Sequence, residues 1–243
     1  MTRKQFAPRY QKALKVHYVI SEFAQSANLN QLWCLDLGCG DGRIAWYLAN
    51  SLGKVIALDY LFAPVHQAHK RLKTTALAFL QADGVRLPFP DSSFDIVVCA
   101  QVYEHLAHVE NLPEEVRRVL KPGGLCFFSG PNKLWFIEPH YGLPFLHWLP
   151  PRIASLYLRI FGENEQFEIR SLTYWQLRYL WRHFRIYDCT PLLFSEPKQF
   201  GISLPLTRGF WKKIFIFFLR VFYFLVPNFN WLLLKPDVKD NHP

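Results

Sequence analysis

The stretch that most constrains this chain is Leu35-Asp36-Leu37-Gly38-Cys39-Gly40-Asp41-Gly42-Arg43. Leu32-Trp33-Cys34-Leu35 leads into it as a short buried strand. Ile44-Ala45-Trp46-Tyr47-Leu48-Ala49 leaves it as the first turns of a helix. A strand that runs through a glycine-rich turn into a helix holds ligands at the edge of an α/β sheet. Glycine lets the backbone turn sharply and lets a ligand approach the main chain closely. The first N–H groups of the helix have no partner inside it and can meet polar ligand atoms.

The spacing discriminates among ligands. A dinucleotide turn reads Gly-x-Gly-x-x-Gly. Here it is Gly38-x-Gly40-x-Gly42, and Arg43 stands where the third glycine should fall. Asp36, two residues before Gly38, would repel a pyrophosphate but can pair with an ammonium group. A plain tight turn between strand and helix is the alternative for this stretch taken alone. Together the acid and the glycine spacing resemble motif I of the class I S-adenosylmethionine-dependent methyltransferases. That ligand has no phosphate and carries an amino-acid tail.

The following segments extend the resemblance. Lys54–Asp59 reads as a second strand ending in Asp59, 19 residues after Gly40. A carboxylate there can accept hydrogen bonds from both ribose hydroxyls, or can cap the helix that starts near Pro64. Ala63–Lys73 reads as a helix with a basic face, and Ala76–Gln81 as a third strand ending at Asp83 and Gly84. The resemblance gives Asp83 the adenine amino group and Gly84 a backbone contact to the ring. Pro88-Phe89-Pro90-Asp91-Ser92-Ser93-Phe94-Asp95, before a fourth strand Ile96–Ala100, resembles the lead-in of the methyltransferase type 11 group. So does Leu120-Lys121-Pro122-Gly123-Gly124, between a helix over Pro113–Leu120 and a fifth strand Leu125–Ser129. The resemblance is dense from about residue 30 to 132. It implies a Rossmann-like doubly wound seven-stranded sheet, order 3-2-1-4-5-7-6, with strand seven antiparallel. Arg185–Cys189 and Phe229–Lys235 are the expected sixth and seventh strands.

The reacting groups belong where the fourth strand ends, in Gln101-Val102-Tyr103-Glu104-His105-Leu106. The segment lacks the motif that holds an amino group for N-methylation, and it lacks a Pro-Cys nucleophile. It looks like the "E-V-L-E-H" segment of ubiquinone-type O-methyltransferases, some of which bind a divalent ion through both acids and the histidine. Gln101 replaces the first acid, so one ligand charge is lost and no metal is assigned; Gln101 is instead counted with the cofactor residues. His105 is a candidate general base for a hydroxyl, with Glu104 beside it on the substrate side. The alternative is that Glu104 and His105 only cap and orient the next helix.

Residues 131–170 form an insert rich in proline and aromatic residues, read as a substrate cap on a single domain spanning 1–243. Its His140 and His147 are candidates for the acceptor side, or structural histidines of a hydrophobic cap. Residues 7–28 read as an amphipathic helix, Arg152–Phe161 as another, and Thr173-x-x-Gln176 as a capping box opening a helix to His183. Residues 207–226 read as a very apolar helix, either interfacial with a membrane or packed between the last two strands.

Composition narrows the partners. The net charge is +9. Arg3, Lys4, Arg9, Lys12 and Lys15 precede the first acid, and Arg208, Lys212, Lys213 and Arg220 form a second cluster. Such clusters suit an anionic membrane surface or nucleic acid, or are solvated helix faces. No RNA-binding module or nucleobase motif accompanies the charge, so nucleic acid is disfavoured. The five cysteines, irregularly spaced and with no Cys-x-x-Cys, read as reduced buried thiols. With no apolar leader at the N-terminus, the expected location is cytoplasmic, either free or peripheral to the inner face of the membrane. The reading is S-adenosylmethionine-dependent methyl transfer to oxygen of a small apolar, glycan or lipid-linked acceptor. RNA methylation, a non-catalytic membrane-associated scaffold and a nicotinamide dehydrogenase are the competing readings. The last is opposed by the loop spacing, and the scaffold by retention of Asp36, the three glycines, Asp59 and Asp83.

Overall fold

Phe94-Asp95-Ile96-Val97-Val98-Cys99-Ala100 is apolar on both faces, as a strand must be when helices cover the sheet on both sides. It is the centre of the structure. The computed structural model describes residues 3–24, 28–163, 166–190 and 222–236. The strands are β1 (Trp33–Leu37), β2 (Lys54–Asp59), β3 (Leu77–Gln81), β4 (Phe94–Ala100), β5 (Leu120–Pro131), β6 (Arg185–Asp188) and β7 (Asn228–Leu234). They form one sheet in the order β3-β2-β1-β4-β5-β7-β6. β3, β2, β1, β4 and β5 run parallel. β7 is antiparallel to both β5 and β6. The expected fold is the observed one.

The helices are α1 (Arg3–Phe23), α2 (Arg43–Leu48), α3 (Phe62–Arg71), α4 (Leu112–Val119), α5 (Pro151–Ile160) and α6 (Tyr174–Leu180). Side chains alternate across each strand, which divides the core in two. Val97 and Cys99, with Cys126, Phe128, Trp231 and Leu233, pack on Val116 and Val119 of α4 and on Leu177 and Trp181. Ile96 and Val98, with Phe127 and Leu232, pack on Val16, Val19 and Ile20 of α1, Ala45 and Leu48 of α2 and Val65 of α3. Each large apolar side chain buried this way contributes about 1.5–3 kcal/mol. All five cysteines are free and buried.

The motifs around β4 and β5 have a structural use. Arg118 of α4 donates to Phe89 O at 2.7 Å and Leu87 O at 2.9 Å, and pairs with Glu115 and Asp91. Lys121 pairs with Asp95 at 2.8 Å. The proline-rich lead-in to β4 is thus tied down by one guanidinium.

Several boundaries differ from expectation. α1 spans Arg3–Phe23 rather than 7–28, and Asn28 starts a separate short 3₁₀ turn, Leu29–Gln31. β5 begins at Leu120, because Lys121–Gly124 bulges inside the strand: Phe94 pairs with Leu120 but Ile96 with Leu125. α6 has its capping box at Thr173 and Gln176 but ends at Leu180. Residues 207–221 of the apolar segment lie outside the described residues. The end of that segment, Tyr223–Leu225, is a 3₁₀ turn rather than α-helix. Among the described residues no helix is long and apolar enough to cross a membrane.

The insert has its own small core of Leu146, Ala154, Leu158 and Phe167. Buried Asn132 anchors its start, donating to Phe224 O and Val226 O at 2.8 Å. Its end returns to the strand tips: Arg170 N–H donates to Glu104 O at 2.9 Å, and Leu172 N–H donates to the Tyr103 hydroxyl at 3.0 Å. The insert is thereby held over the end of β4.

Candidate active site

The glycine turn follows β1 and opens α2. Gly38, Gly40 and Gly42 all have positive φ. At Gly42 a side chain is excluded twice over, since φ is +74° and a Cβ would lie 2.6 Å from the Phe79 ring. At Gly40 the space a Cβ would occupy is open, so a ligand can reach the main chain there. Asp59 ends β2, and its Oδ2 accepts the Gly40 N–H at 2.8 Å while Oδ1 accepts the Leu61 N–H at 3.0 Å. The acid therefore shapes the turn as well as facing it. It does not cap α3 at the helix N-cap, which is Leu61. Asp83 lies exposed just past β3, its Oδ1 accepting the Val85 N–H at 3.0 Å. Gly84 is buried against Leu37.

Asp36 lies deeper than its sequence position suggests. It is 2% exposed, and its Oδ2 has no hydrogen-bond partner. Burial pushes its pKa up to about 7; the Ala45 N–H works against the shift, and the nearby Asp59 and Asp41 carboxylates add to it. A buried carboxyl oxygen without a donor under an open glycine turn is what a cationic amino group would complete. These residues fit S-adenosylmethionine: Asp36 for the amino group, Gly38, Gly40 and Gly42 for close approach, Asp59 for the ribose, Asp83 and Gly84 for the adenine.

The second half of the site is at the end of β4. Gln101 is one of three described non-glycine residues with positive φ, +62°. Its side chain donates to Asn228 Oδ1 at 2.7 Å, toward β7. A short 3₁₀ turn, Tyr103–His105, carries the next groups. Glu104 is fully buried and neither of its carboxyl oxygens has a hydrogen-bond partner. Burial raises its pKa to about 7, with His140 and Lys12 opposing the shift and Glu138 adding to it. Glu104 caps nothing: α4 has Asn111 at its N-cap with no side-chain cap bond. This removes Glu104 as a cap of α4.

His105 is half-buried, with Nε2 4.0 Å from Glu104 Oε1. Burial, then the His140 charge, lower its pKa. His140 comes from the insert, and its ring meets that of His105 edge-on at 5.2 Å. Buried Glu138 holds it: Oε1 is 2.7 Å from His140 Nδ1, and Oε2 accepts the backbone N–H groups of His140 and Tyr141 at 2.8 and 2.7 Å. That carboxylate raises the His140 pKa, against the effect of burial. His147 is nearly fully buried, with both ring nitrogens unpartnered and its pKa lowered by burial. It stands outside the group formed by Glu104, His105 and His140. Ligand atoms of those three lie within 4.8 Å of one another, close enough to hold a divalent cation. Sequence reasoning discounted a cation because Gln101 replaces an acid; His140 supplies a third donor that motif spacing could not show. It also missed Glu138, whose only signal was its place two residues before a histidine.

The sheet order, the glycine turn and the acids at successive strand ends are those of the class I S-adenosylmethionine-dependent methyltransferases. Residues 35–128 match the family model of a methyltransferase domain, the type 11 group, and over that stretch the chain is similar to the family. A probable S-adenosylmethionine-dependent methyltransferase of Mycolicibacterium smegmatis is 40% identical over 102 residues, 42% of this chain and 39% of the relative. A ubiquinone biosynthesis O-methyltransferase of Rickettsia prowazekii is 28% identical over 130 residues, 49% of this chain and 48% of the relative. The chain therefore spans less than half the length of these two curated relatives. An S-adenosylmethionine-dependent methyltransferase from Mesorhizobium loti superposes with a TM-score of 0.58 at 17% identity, covering 91% of this chain and 98% of that one. At that identity the likeness concerns the fold alone. The family's cofactor is S-adenosyl-L-methionine, which the site residues fit.

Proposed function

We propose that this protein transfers a methyl group from S-adenosylmethionine to an oxygen atom of a small apolar or lipid-linked acceptor. The observation that carries the reading is the group of Glu104, His105 and His140 at the end of β4, beside the cofactor turn and under an aromatic insert. Bound cofactor supplies a methyl group already activated on a sulfonium. The chain's residues then have three tasks.

The first is alignment, which can supply roughly 7–11 kcal/mol. The insert, tied to Tyr103 and Glu104, closes over the strand ends for this purpose. The second is proton acceptance. His105, its pKa lowered, is neutral and takes the hydroxyl proton as the acceptor oxygen attacks. The third is charge balance. Glu104, 4.0 Å from His105 Nε2, stabilises the imidazolium so formed, and Glu138 keeps His140 oriented. The name of the Rickettsia relative, an O-methyltransferase, supports the choice of oxygen. Exposed Phe145, Trp148, Ile153, Leu156 and Ile160 on the insert support an apolar acceptor presented at a membrane surface. A second reading of the same group is a divalent cation held by Glu104, His105 and His140, favoured by the two unpartnered oxygens of Glu104. The cation would then orient the acceptor oxygens.

Calorimetry tests the cofactor half. S-adenosylhomocysteine should bind in the micromolar range, about −8 kcal/mol; tight NADH binding without any response to S-adenosylhomocysteine would sink the assignment. For the chemistry, mass spectrometry of a native lipid and metabolite extract should find a methylated product. With that acceptor, His105→Ala should cut turnover by about 10²–10⁴-fold and leave cofactor affinity nearly unchanged.

A further inference from the structure

A cleft of about 390 Å³ opens between α1 and the ends of β4, β5 and β7. Lys12 and Lys15, one helical turn apart, line one side. Gln101, Ser129, Asn228 and Asn230 line the other, and no carboxylate is among its described lining residues. The polar side is a one-way relay. Gln101 Nε2 donates to Asn228 Oδ1 at 2.7 Å, Asn228 Nδ2 to Ser129 Oγ at 2.8 Å, and Ser129 Oγ to Asn230 Oδ1 at 3.2 Å. Asn228 Oδ1, Ser129 Oγ and Asn230 Oδ1 each accept from within the relay, which ends on the Asn230 amide N–H groups. The cleft therefore presents two ammonium groups and an amide donor, the chemistry that receives an anion.

The cleft borders the reacting group. Pro139 lines it, directly before His140. Lys12 is near enough that its charge acts on both Glu104 and His140. Lys15 is partly desolvated, which lowers its pKa, and the neighbouring Lys12 charge adds to this.

We propose that the acceptor carries an anionic group, a carboxylate or a phosphate, which docks between Lys12, Lys15 and the Asn230 amide and sets the reacting oxygen against His105. The proposal rests on the methyltransferase reading and adds the class of acceptor to it. Benzoate and inorganic phosphate are the probes, each titrated calorimetrically into the full chain saturated with S-adenosylhomocysteine, with neutral benzamide as the control. At least one anion should bind saturably, and benzamide should not. Which anion binds distinguishes a carboxylate from a phosphate headgroup. Lys12→Gln with Lys15→Gln should weaken that binding at least about tenfold. Asn230→Asp leaves the Ser129 hydrogen bond its acceptor and leaves α1 untouched; by adding a carboxylate it should do the same. S-adenosylhomocysteine affinity should stay unchanged in both. The proposal is overturned if neither anion binds the loaded protein, or if both variants bind anions like the wild type. It also fails if the lysine variant loses S-adenosylhomocysteine instead, since the lysines would then serve the cofactor's own carboxylate. Failure of the wild type to bind S-adenosylhomocysteine at all would refute the methyltransferase reading, a different result from loss of the anion alone.

Discussion

Replacing Asp36 by Asn should make the ligand-free protein more stable and the cofactor complex weaker. The carboxyl is 2% exposed, and its pKa rises from 3.8 to about 7 on folding. Asparagine keeps an oxygen for the Ala45 N–H and removes only the buried charge. The sign follows from proton linkage. The folded state binds the Asp36 proton more tightly than the unfolded chain. Stability from this group is therefore full below about pH 4 and is lost as pH rises to about 7. A shift of about three units at about 1.36 kcal/mol each gives an upper bound of about 4 kcal/mol lost by pH 8. The variant does not pay this penalty. Urea unfolding of the wild type and Asp36→Asn should coincide near pH 4, and the gap in favour of the variant should widen toward pH 8. In the same variant S-adenosylhomocysteine should bind more weakly by about 1.5–3 kcal/mol, the worth of a hydrogen bond to a charged group. A variant less stable than wild type at pH 8, with cofactor affinity intact, would refute the argument: Asp36 would then be a structural hydrogen-bond partner and nothing more.

Other perturbations test neighbouring parts of the site. Glu138→Gln removes the charge that holds the His140 pKa up, so the acidic limb of the rate profile should move to lower pH if His140 must be neutral; an unmoved limb would exclude His140 from the titration. Gly42→Ala meets both a φ of +74° and the Phe79 ring at 2.6 Å, and should cost about 1–3 kcal/mol in thermal unfolding; an unchanged melting temperature would mean that the turn relaxes freely. If the cation reading holds, adding Mn²⁺ to chelator-treated protein should raise its melting temperature, and Glu104→Gln should abolish the rise. No response in the wild type would leave His105 as an unassisted base.

What could be read in the chain was what neighbouring residues decide. The glycines at 38, 40 and 42 permit the positive φ found at those positions, because a residue without a Cβ enters that region freely. Alternating apolar residues in Ile96–Cys99 and Leu125–Phe128 determine which side chains face which layer, because the strand period is two. Tertiary structure decided the rest. The raised pKa of Asp36 depends on its burial in the packed sheet and on the Asp59 carboxylate at the end of β2. The pairing of His105 with His140 depends on how the insert returns over β4, and no local period encodes that path. Lys12 and Lys15 read as part of a basic stretch until α1 packs against the sheet and places them opposite Asn230. In each case the deciding contact joins residues far apart in the chain, whose approach is set by packing of whole elements rather than by the preferences of the residues themselves.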